Sequence, residues 1–215
     1  MWRFWVESRV KKTDNRYMDK NDVLDTRDEI IEALLPMVPF EGWSWKTVDL
    51  AAVECGHNKG VSRAVFPGRL DDVLDGFSDW ADRKMMDEIS AINPEDLRIR
   101  DRIRTALLTR YRALDEHREA VRLSAQYFMR PTKKPLGAKL VWRTADRIWD
   151  WAGDISTDYN RYTKRGLLSG ILVSTTLVWV DDDSETLDNT KAFLDRRIEN
   201  VMQFGKMINK IKKAS

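Results

Sequence analysis

The chain has 215 residues, and its 37 lysines and arginines nearly balance its 35 aspartates and glutamates, for a formal net charge of +2. This balance excludes the strong positive field of a protein built mainly to coat nucleic acid. The single cysteine, Cys55, excludes an internal disulfide framework and a multi-cysteine metal site, and it favours a reducing compartment. A chain of this length predicts one main hydrophobic core.

Residues 1–25 are predicted to form an N-terminal arm. Aromatic side chains stand at its start, at Trp2, Phe4 and Trp5, with basic residues around them, which is typical of a segment that contacts a membrane surface. The alternative is a first helix packed on its own domain, or a mobile arm. The arm lacks the apolar run of about 7–15 residues of a secretory signal, so a cytoplasmic protein is expected.

Residues 26–78 are predicted to form a helix-turn-helix-like subdomain. Gly56 is expected to end one helix and Pro67 to close the next. The register of these residues and of Lys59-Gly60 resembles the DNA-binding heads of TetR-type regulators. Between residues 41 and 76, however, six acidic residues outnumber four basic ones, which is the wrong sign for binding phosphates. The subdomain is therefore predicted to bind no nucleic acid.

Residues 79–215 are predicted to form a helical domain, which makes the chain all-α. The uncharged run from 166 to 180 is shorter than the about 20 residues that span a bilayer, so it favours a buried helix. Residues Leu187 to Lys213 carry apolar side chains at helical spacing, which predicts an amphipathic helix. The segment from Arg130 to Gly137 is predicted to interrupt the helices before it.

Four aspartates fall every four residues, at Asp146, Asp150, Asp154 and Asp158, and a continuous helix would place them in one row. Such a row could hold a divalent ion. Because Gly153 is expected to disturb the helix and no histidine is near in sequence, no metal site is predicted.

Catalytic signatures are missing from the sequence. The two histidines, His57 and His117, have no serine, cysteine or metal-ligand companion at a useful spacing, and no phosphate-binding glycine loop or zinc-protease motif occurs. The chain is therefore predicted to be no enzyme and to need no cofactor.

Several motifs together resemble a known family. The matching stretches are Ala33–Trp43, Phe66–Gly68, Ile99–Ile103, His117–Ala120, Thr144–Trp149, Ala152–Asn160, Tyr162–Arg165 and Phe193–Ile198. They resemble the coenzyme Q (ubiquinone) biosynthesis accessory family, the ninth member of the Coq series. The pairing of an Ala-Gly-Asp-x-Ser-Thr-Asp motif with a Tyr-Thr-Lys-Arg motif is specific to it.

The resemblance implies a TetR-like helical bundle that does not read DNA and carries no catalytic residues. It implies a pocket for an isoprenoid quinone intermediate or a phospholipid, and a role in presenting the quinone to the di-iron demethoxyubiquinone hydroxylase at a membrane surface. A protein at the bacterial inner membrane is expected, or at the matrix side if the source is mitochondrial, with a homodimer as a possibility. The alternative is a TetR-type DNA-binding regulator with a lipid effector.

Two sets of site residues follow from the resemblance. The partner-binding set is Asp154, Ser156, Thr157, Asp158, Asn160, Arg161, Tyr162 and Arg165. Arg161 departs from the family, which usually has an aromatic residue there, so the contact is expected to be re-shaped. The cavity for the lipid is sought between the run 166–180 and neighbouring helices, with Leu107, Tyr111, Trp142, Trp149, Leu168, Ile171, Leu172, Thr175 and Trp179 as its lining. Plain core packing of these residues is the alternative.

Overall fold

A computed structural model describes residues 20–157 and 159–214, and its fold is all-α as predicted. No β-strand occurs in this described part of the chain. The helices are α1 (Lys20–Leu34), α2 (Val38–Glu41), α3 (Trp45–Glu54), α4 (Lys59–Val65), α5 (Leu70–Ile89), α6 (Ile99–Ala113), α7 (Arg118–Met129), α8 (Lys134–Trp151), α9 (Tyr159–Trp179) and α10 (Asp188–Ala214). The predicted membrane contacts Trp2, Phe4 and Trp5 lie outside the described residues, so they stay a prediction.

The helix-turn-helix-like arrangement of α3 and α4 is set by local signals in the sequence. The Ser44 hydroxyl accepts a hydrogen bond from the Thr47 N–H at 3.2 Å, which caps the start of α3. Gly56 follows the end of α3 with a φ of 81°, a left-handed conformation that glycine adopts without a steric cost. Asn58 then caps α4 by accepting from the Gly60 N–H at 2.9 Å. A helix, a turn and a second helix therefore follow one another between Trp45 and Val65.

Helix α5 joins this subdomain to the rest of the molecule. It contacts α1 on one side and α6 and α8 on the other. One hydrophobic core runs along it, from Ile30 and Val48 in the subdomain to Leu107 and Trp179 beyond it, and all four side chains are fully buried. The core is thus continuous, as the chain length predicts.

The predicted interruption from Arg130 to Gly137 is shorter in the structure. Helix α8 begins at Lys134, with a proline in its first turn, where a missing N–H costs nothing. Gly137 therefore lies inside α8. A Cβ atom there would come within 2.9 Å of the Phe128 Cβ, so the glycine allows α8 to pack closely on α7.

Helix α9 is buried on one side only, which corrects the prediction of a buried helix from 166 to 180. Its inner side includes Leu168 and Leu172, whereas Leu167, Val173 and Leu177 are exposed on its outer side. No helix in the described ranges is both long enough and apolar enough to span a bilayer.

Candidate partner-binding site

The turn between α8 and α9 holds the first part of the predicted partner-binding set. Helix α8 ends at Trp151, and Gly153 takes a φ of 80°, which lets the chain reverse. The Arg102 guanidinium donates to the Ala152 carbonyl at 2.6 Å and ties the turn to α6. The Asp154 carboxylate then accepts from both the N–H and the hydroxyl of Ser156. The turn is therefore held at both ends.

Arg165 lies at the centre of a buried ion cluster and not on the surface. Its guanidinium donates to Asp154 at 2.8 Å, to Asp150 at 3.0 Å and, through Nε, to Asp146. The Arg165 side chain is 0% exposed. Because three aspartates enclose Arg165, it acts here from within the structure, and the prediction that it contacts a partner stays a prediction. We call Arg165 and these aspartates the Arg165 cluster.

The same cluster explains the row of aspartates on α8. The Arg165 guanidinium pairs with all three aspartates, and Arg161 and Lys164 add one further cation each, at Asp146 and Asp154. Three positive charges therefore offset the repulsion that three like charges at this spacing would cause. No group of three metal-binding side chains occurs among the described residues. Asp158, the fourth member of the row, lies outside the described residues.

Asp154 is the most enclosed carboxylate of the cluster, with 3% of its side chain exposed. Burial alone would raise its pKa, but hydrogen bonds from Lys164, Ser156 and Arg165 outweigh that effect and hold the pKa of Asp154 below its ordinary value. The Lys164 ammonium lies 2.6 Å from the carboxylate and 2.7 Å from the Ser156 hydroxyl. Asp154 thus stays ionised and fixes the turn against the start of α9.

Exposed large side chains occur on α8, on α9 and in the turn between them. The Trp142 and Tyr162 rings lie 6.3 Å apart between centroids, and 36% and 63% of these residues are exposed. Two further exposed residues were missed by the sequence analysis. Ile155, in the turn between α8 and α9, is 93% exposed, and Tyr159, at the start of α9, is 80% exposed. We call the three aromatic residues Trp142, Tyr159 and Tyr162, together with the aliphatic Ile155, the aromatic patch. Large apolar groups left in water in one region are typical of a protein-binding surface.

The other predicted partner-binding residues surround this patch in different ways. Thr157 and Asn160 are exposed, and Ser156 is half-buried by its bonds to Asp154. Arg161, the residue that departs from the family, donates to Asp146 at 2.8 Å and is partly covered. Arg161 therefore supports the Arg165 cluster from outside.

The predicted lipid-binding residues fall into two groups. Seven are buried together: Leu107, Tyr111, Leu168, Ile171, Leu172, Thr175 and Trp179. The Tyr111 and Trp179 rings stack at 5.2 Å, and the Tyr111 hydroxyl donates to the Leu172 carbonyl at 3.2 Å. Burial raises the pKa of Tyr111 to about 12, so this phenol stays neutral. These seven side chains therefore form part of the packed core.

Trp142 and Trp149 differ from that buried group. Trp142 belongs to the exposed aromatic patch, whereas the half-buried Trp149 donates its indole N–H to the Lys164 carbonyl at 3.1 Å. Two clefts of the described residues, of about 430 Å³ and 240 Å³, are lined by side chains outside the predicted set. The packing therefore leaves the lipid site a prediction.

A second buried carboxylate, Asp82 on α5, joins three helices. Its side chain is 0% exposed, and it accepts from Arg110 on α6 at 3.0 Å and from Arg147 on α8 at 3.3 Å. The Thr144 hydroxyl lies 2.9 Å and 3.0 Å from its two oxygens, and Arg143 approaches to 3.8 Å. We call this set the Asp82 network. The Asp82 network connects α5 to α6 and to α8, the helix that carries Trp142.

Comparisons with known proteins agree with this organisation. Residues 134–205 match the sequence model of the family described as COQ9. The chain is 27% identical over 190 residues to the ubiquinone biosynthesis protein COQ9, mitochondrial, of Rattus norvegicus, which covers 85% of this chain and 61% of the relative. It is 27% identical over 189 residues to the protein of the same name from Homo sapiens, covering 85% and 59%. The chain thus spans about three-fifths of the length of the relatives it matches.

A solved structure with the same fold is that of a TetR transcriptional regulator from Nitrosomonas europaea. The TM-score is 0.65, with 81% of this chain and 97% of that chain covered. At 21% identity this similarity shows the fold alone. The predicted TetR-like helical bundle is confirmed.

Proposed function

Because this chain is related to the COQ9 proteins of ubiquinone biosynthesis over 85% of its length, we propose that it is a non-catalytic lipid-binding accessory protein of that pathway. It binds isoprenoid quinone intermediates at a membrane surface and presents them to the di-iron demethoxyubiquinone hydroxylase. The relatives are named as mitochondrial. We propose a peripheral position on the bacterial inner membrane, or on the matrix face if the source is mitochondrial.

The aromatic patch on its rigid frame is the observation that carries the role in partner binding. Binding energy at protein interfaces concentrates in a few large side chains, with tryptophan and tyrosine over-represented. Trp142 and Tyr162 are such residues, and the buried Arg165 cluster fixes the turn and the start of α9. A preordered surface loses little conformational entropy on binding, which raises its affinity.

The change Tyr162→Ala is expected to weaken binding of the hydroxylase by about 30-fold, the effect of losing about 2 kcal/mol at an interface anchor. The ring is mostly in water in the free protein, so the melting temperature should stay nearly unchanged. Biolayer interferometry with purified hydroxylase measures the affinity. The matched control is Phe40→Ala, which removes an 88% exposed aromatic ring outside the patch. Equal binding by Tyr162→Ala and the wild type would show that the patch is not the interface.

One buried polar atom supports a ligand site next to the stacked rings of Tyr111 and Trp179. The indole N–H of Trp179 is buried and has no hydrogen-bond partner within the described part of the chain. Such a group costs about 1–3 kcal/mol when left unsatisfied, and a quinone carbonyl is an acceptor that would satisfy it. Entry of the ligand requires α9 to move away from α6, since the rings between them are in contact.

Organic extraction of the purified protein, followed by mass spectrometry, is expected to recover an isoprenoid quinone or a phospholipid. The change Trp179→Phe keeps the stacked ring and removes the donor. It should lower the affinity for a short-chain ubiquinone about threefold to tenfold, as the loss of one neutral hydrogen bond implies. Titration by tryptophan fluorescence measures this. Recovery of no lipid, together with unchanged affinity in the variant, would overturn the lipid-carrying role.

The outer side of α9 offers a further contact surface, with Leu167, Val173 and Leu177 36%, 47% and 58% exposed. We assign it to a second copy of the chain, since an apolar helix face that pairs with its own copy is covered symmetrically in a dimer. Light scattering on the same preparation should give the mass of a homodimer. A monomer at every concentration would exclude the pairing.

A further inference from the structure

A cleft of about 430 Å³ opens beside the helix-turn-helix, far along the chain from the aromatic patch. It is lined by Trp45 at the start of α3, by Arg63 on α4, and by Phe66, Pro67 and Arg69 in the turn before α5. Its volume lies within the range of about 300–1,000 Å³ that is usual for small-molecule sites. The lining thus combines two guanidinium groups with an apolar and aromatic wall.

The two arginines of the cleft are free to bind an external anion. Neither Arg63 nor Arg69 forms an ion pair with any residue that the structure describes, and both are exposed. The acids that follow them are already engaged. Asp71 bonds to Lys133, Asp75 bonds to an arginine of α8, and Asp72 accepts from the Gly68 N–H at the end of the cleft. Lys133 and Arg143 lie outside the stretch 41–76 and pair with Asp71 and Asp75, so the count of six acidic and four basic residues overstates the negative charge of this region.

Arg69 also has an unusual backbone conformation, with a φ of 61° and a ψ of −136°. A side chain larger than that of glycine is disfavoured there by steric contacts with its own backbone. Glycine would adopt this conformation more easily, so the arginine is held at a cost. Strain of this kind is often kept where a side chain has a function, and here it places a cation at the start of α5.

We infer that this cleft binds a phosphate group carried on an apolar or aromatic body, such as the headgroup of an anionic lipid. Arginine pairs with phosphate oxygens through two parallel N–H bonds, and Arg63 and Arg69 supply two such groups. Trp45 and Pro67 provide the accessible wall against which the apolar part packs, with the fully buried Phe66 behind them. Two cations are too few for tight binding to duplex DNA, whose affinity grows with the number of phosphates neutralised.

Titration calorimetry of the whole protein with dihexanoylphosphatidic acid, below its micelle concentration and at fixed ionic strength, tests the proposal. Saturable binding is expected, and Arg63→Gln should weaken it about tenfold, as the loss of a charged hydrogen bond implies. Arg69→Gly separates binding from folding. It removes the guanidinium but relieves the backbone strain, so binding should fall while the melting temperature does not. Arg112→Gln, an exposed arginine at the end of α6, is the charge-matched control and should bind normally.

Three results would overturn the inference. The first is absence of saturable binding in the wild-type protein, or equal losses in Arg63→Gln and the Arg112→Gln control. The second is inorganic phosphate that binds as tightly as the amphiphile, because the apolar wall would then contribute nothing. The third is duplex DNA that binds more tightly than the amphiphile, with a steep dependence on salt. A phospholipid held beside Trp179 would bind equally well to Arg63→Gln, so a loss in that variant reports this cleft alone. Failure of the inference therefore leaves the proposed function standing.

Discussion

Replacing Arg165 by methionine is expected to lower the free energy of unfolding by about 3–5 kcal/mol, the usual result of removing one partner of a buried ion pair. Three aspartates of α8 and the following turn lose their shared counter-ion, and the enclosed Asp154 keeps only Lys164 as a cationic partner. Urea denaturation at neutral pH measures the change. Arg165→Lys keeps the charge but cannot reach three carboxylates at once, so its loss should be intermediate.

Acid titration of the same variants gives a second and independent measurement. The pKa of Asp154 in the folded protein lies below its ordinary value of about 4. Its contribution to stability is therefore complete well above about pH 4 and is lost as the pH falls below that value and through the lowered folded pKa. In Arg165→Met the folded pKa should move back toward the ordinary value, which makes the acid dependence of stability shallower. A variant with wild-type stability at neutral pH and a wild-type acid profile would show that Arg165 is dispensable for the fold.

The change Asp82→Asn is expected to cost about 3 kcal/mol, at the lower end of the range for breaking buried ion pairs, because Arg143 and Arg147 keep Asp75 and Asp79 as partners. Asparagine has nearly the same shape as aspartate. The loss of stability therefore measures the contribution of the negative charge of Asp82, with which Arg110, Arg143 and Arg147 interact.

Thr144→Val is the control for the Asp82 network. It removes only the hydroxyl that donates to Asp82, and it should cost about 1 kcal/mol, the value of one hydrogen bond. Thermal and urea unfolding of both variants measure the difference. Equal losses in Asp82→Asn and Thr144→Val would mean that the hydrogen bond, and not the charge, holds α5 to α6 and α8.

The parts of the fold that were predictable from the sequence depend on local chemistry. Gly56 and the polar caps Ser44 and Asn58 act on the residues next to them, so the helix-turn-helix-like arrangement of α3 and α4 follows from short motifs. The extent of α8 was harder to predict, because Gly137 is needed for the approach of Phe128 from α7 and does not end a helix. Such contacts between helices leave no local signal.

In the candidate site, too, local motifs were predictable from the sequence and contacts between helices were not. The row of aspartates on α8 is visible from its spacing, but its counter-ion, Arg165, comes from α9 after the chain has reversed. Trp142 and Trp149 lie seven residues apart, and this spacing puts both on one face of α8. Their surroundings differ because Trp142 lies near the Tyr162 ring, whereas Trp149 donates to the Lys164 carbonyl of α9. Neither contact is visible from the sequence of α8. The cleft arginines were missed because a count of charges cannot show which acids are already paired.

Because the Arg165 guanidinium is buried, we expect binding through the aromatic patch to depend little on salt concentration. Mobile ions screen exposed charges over about 8 Å at physiological ionic strength, but they act weakly on pairs from which water is excluded. The Arg165 cluster should therefore keep its geometry in concentrated salt, and the rings of Trp142 and Tyr162 bear no charge. Association through them would persist in buffers that strip away proteins held by surface charge.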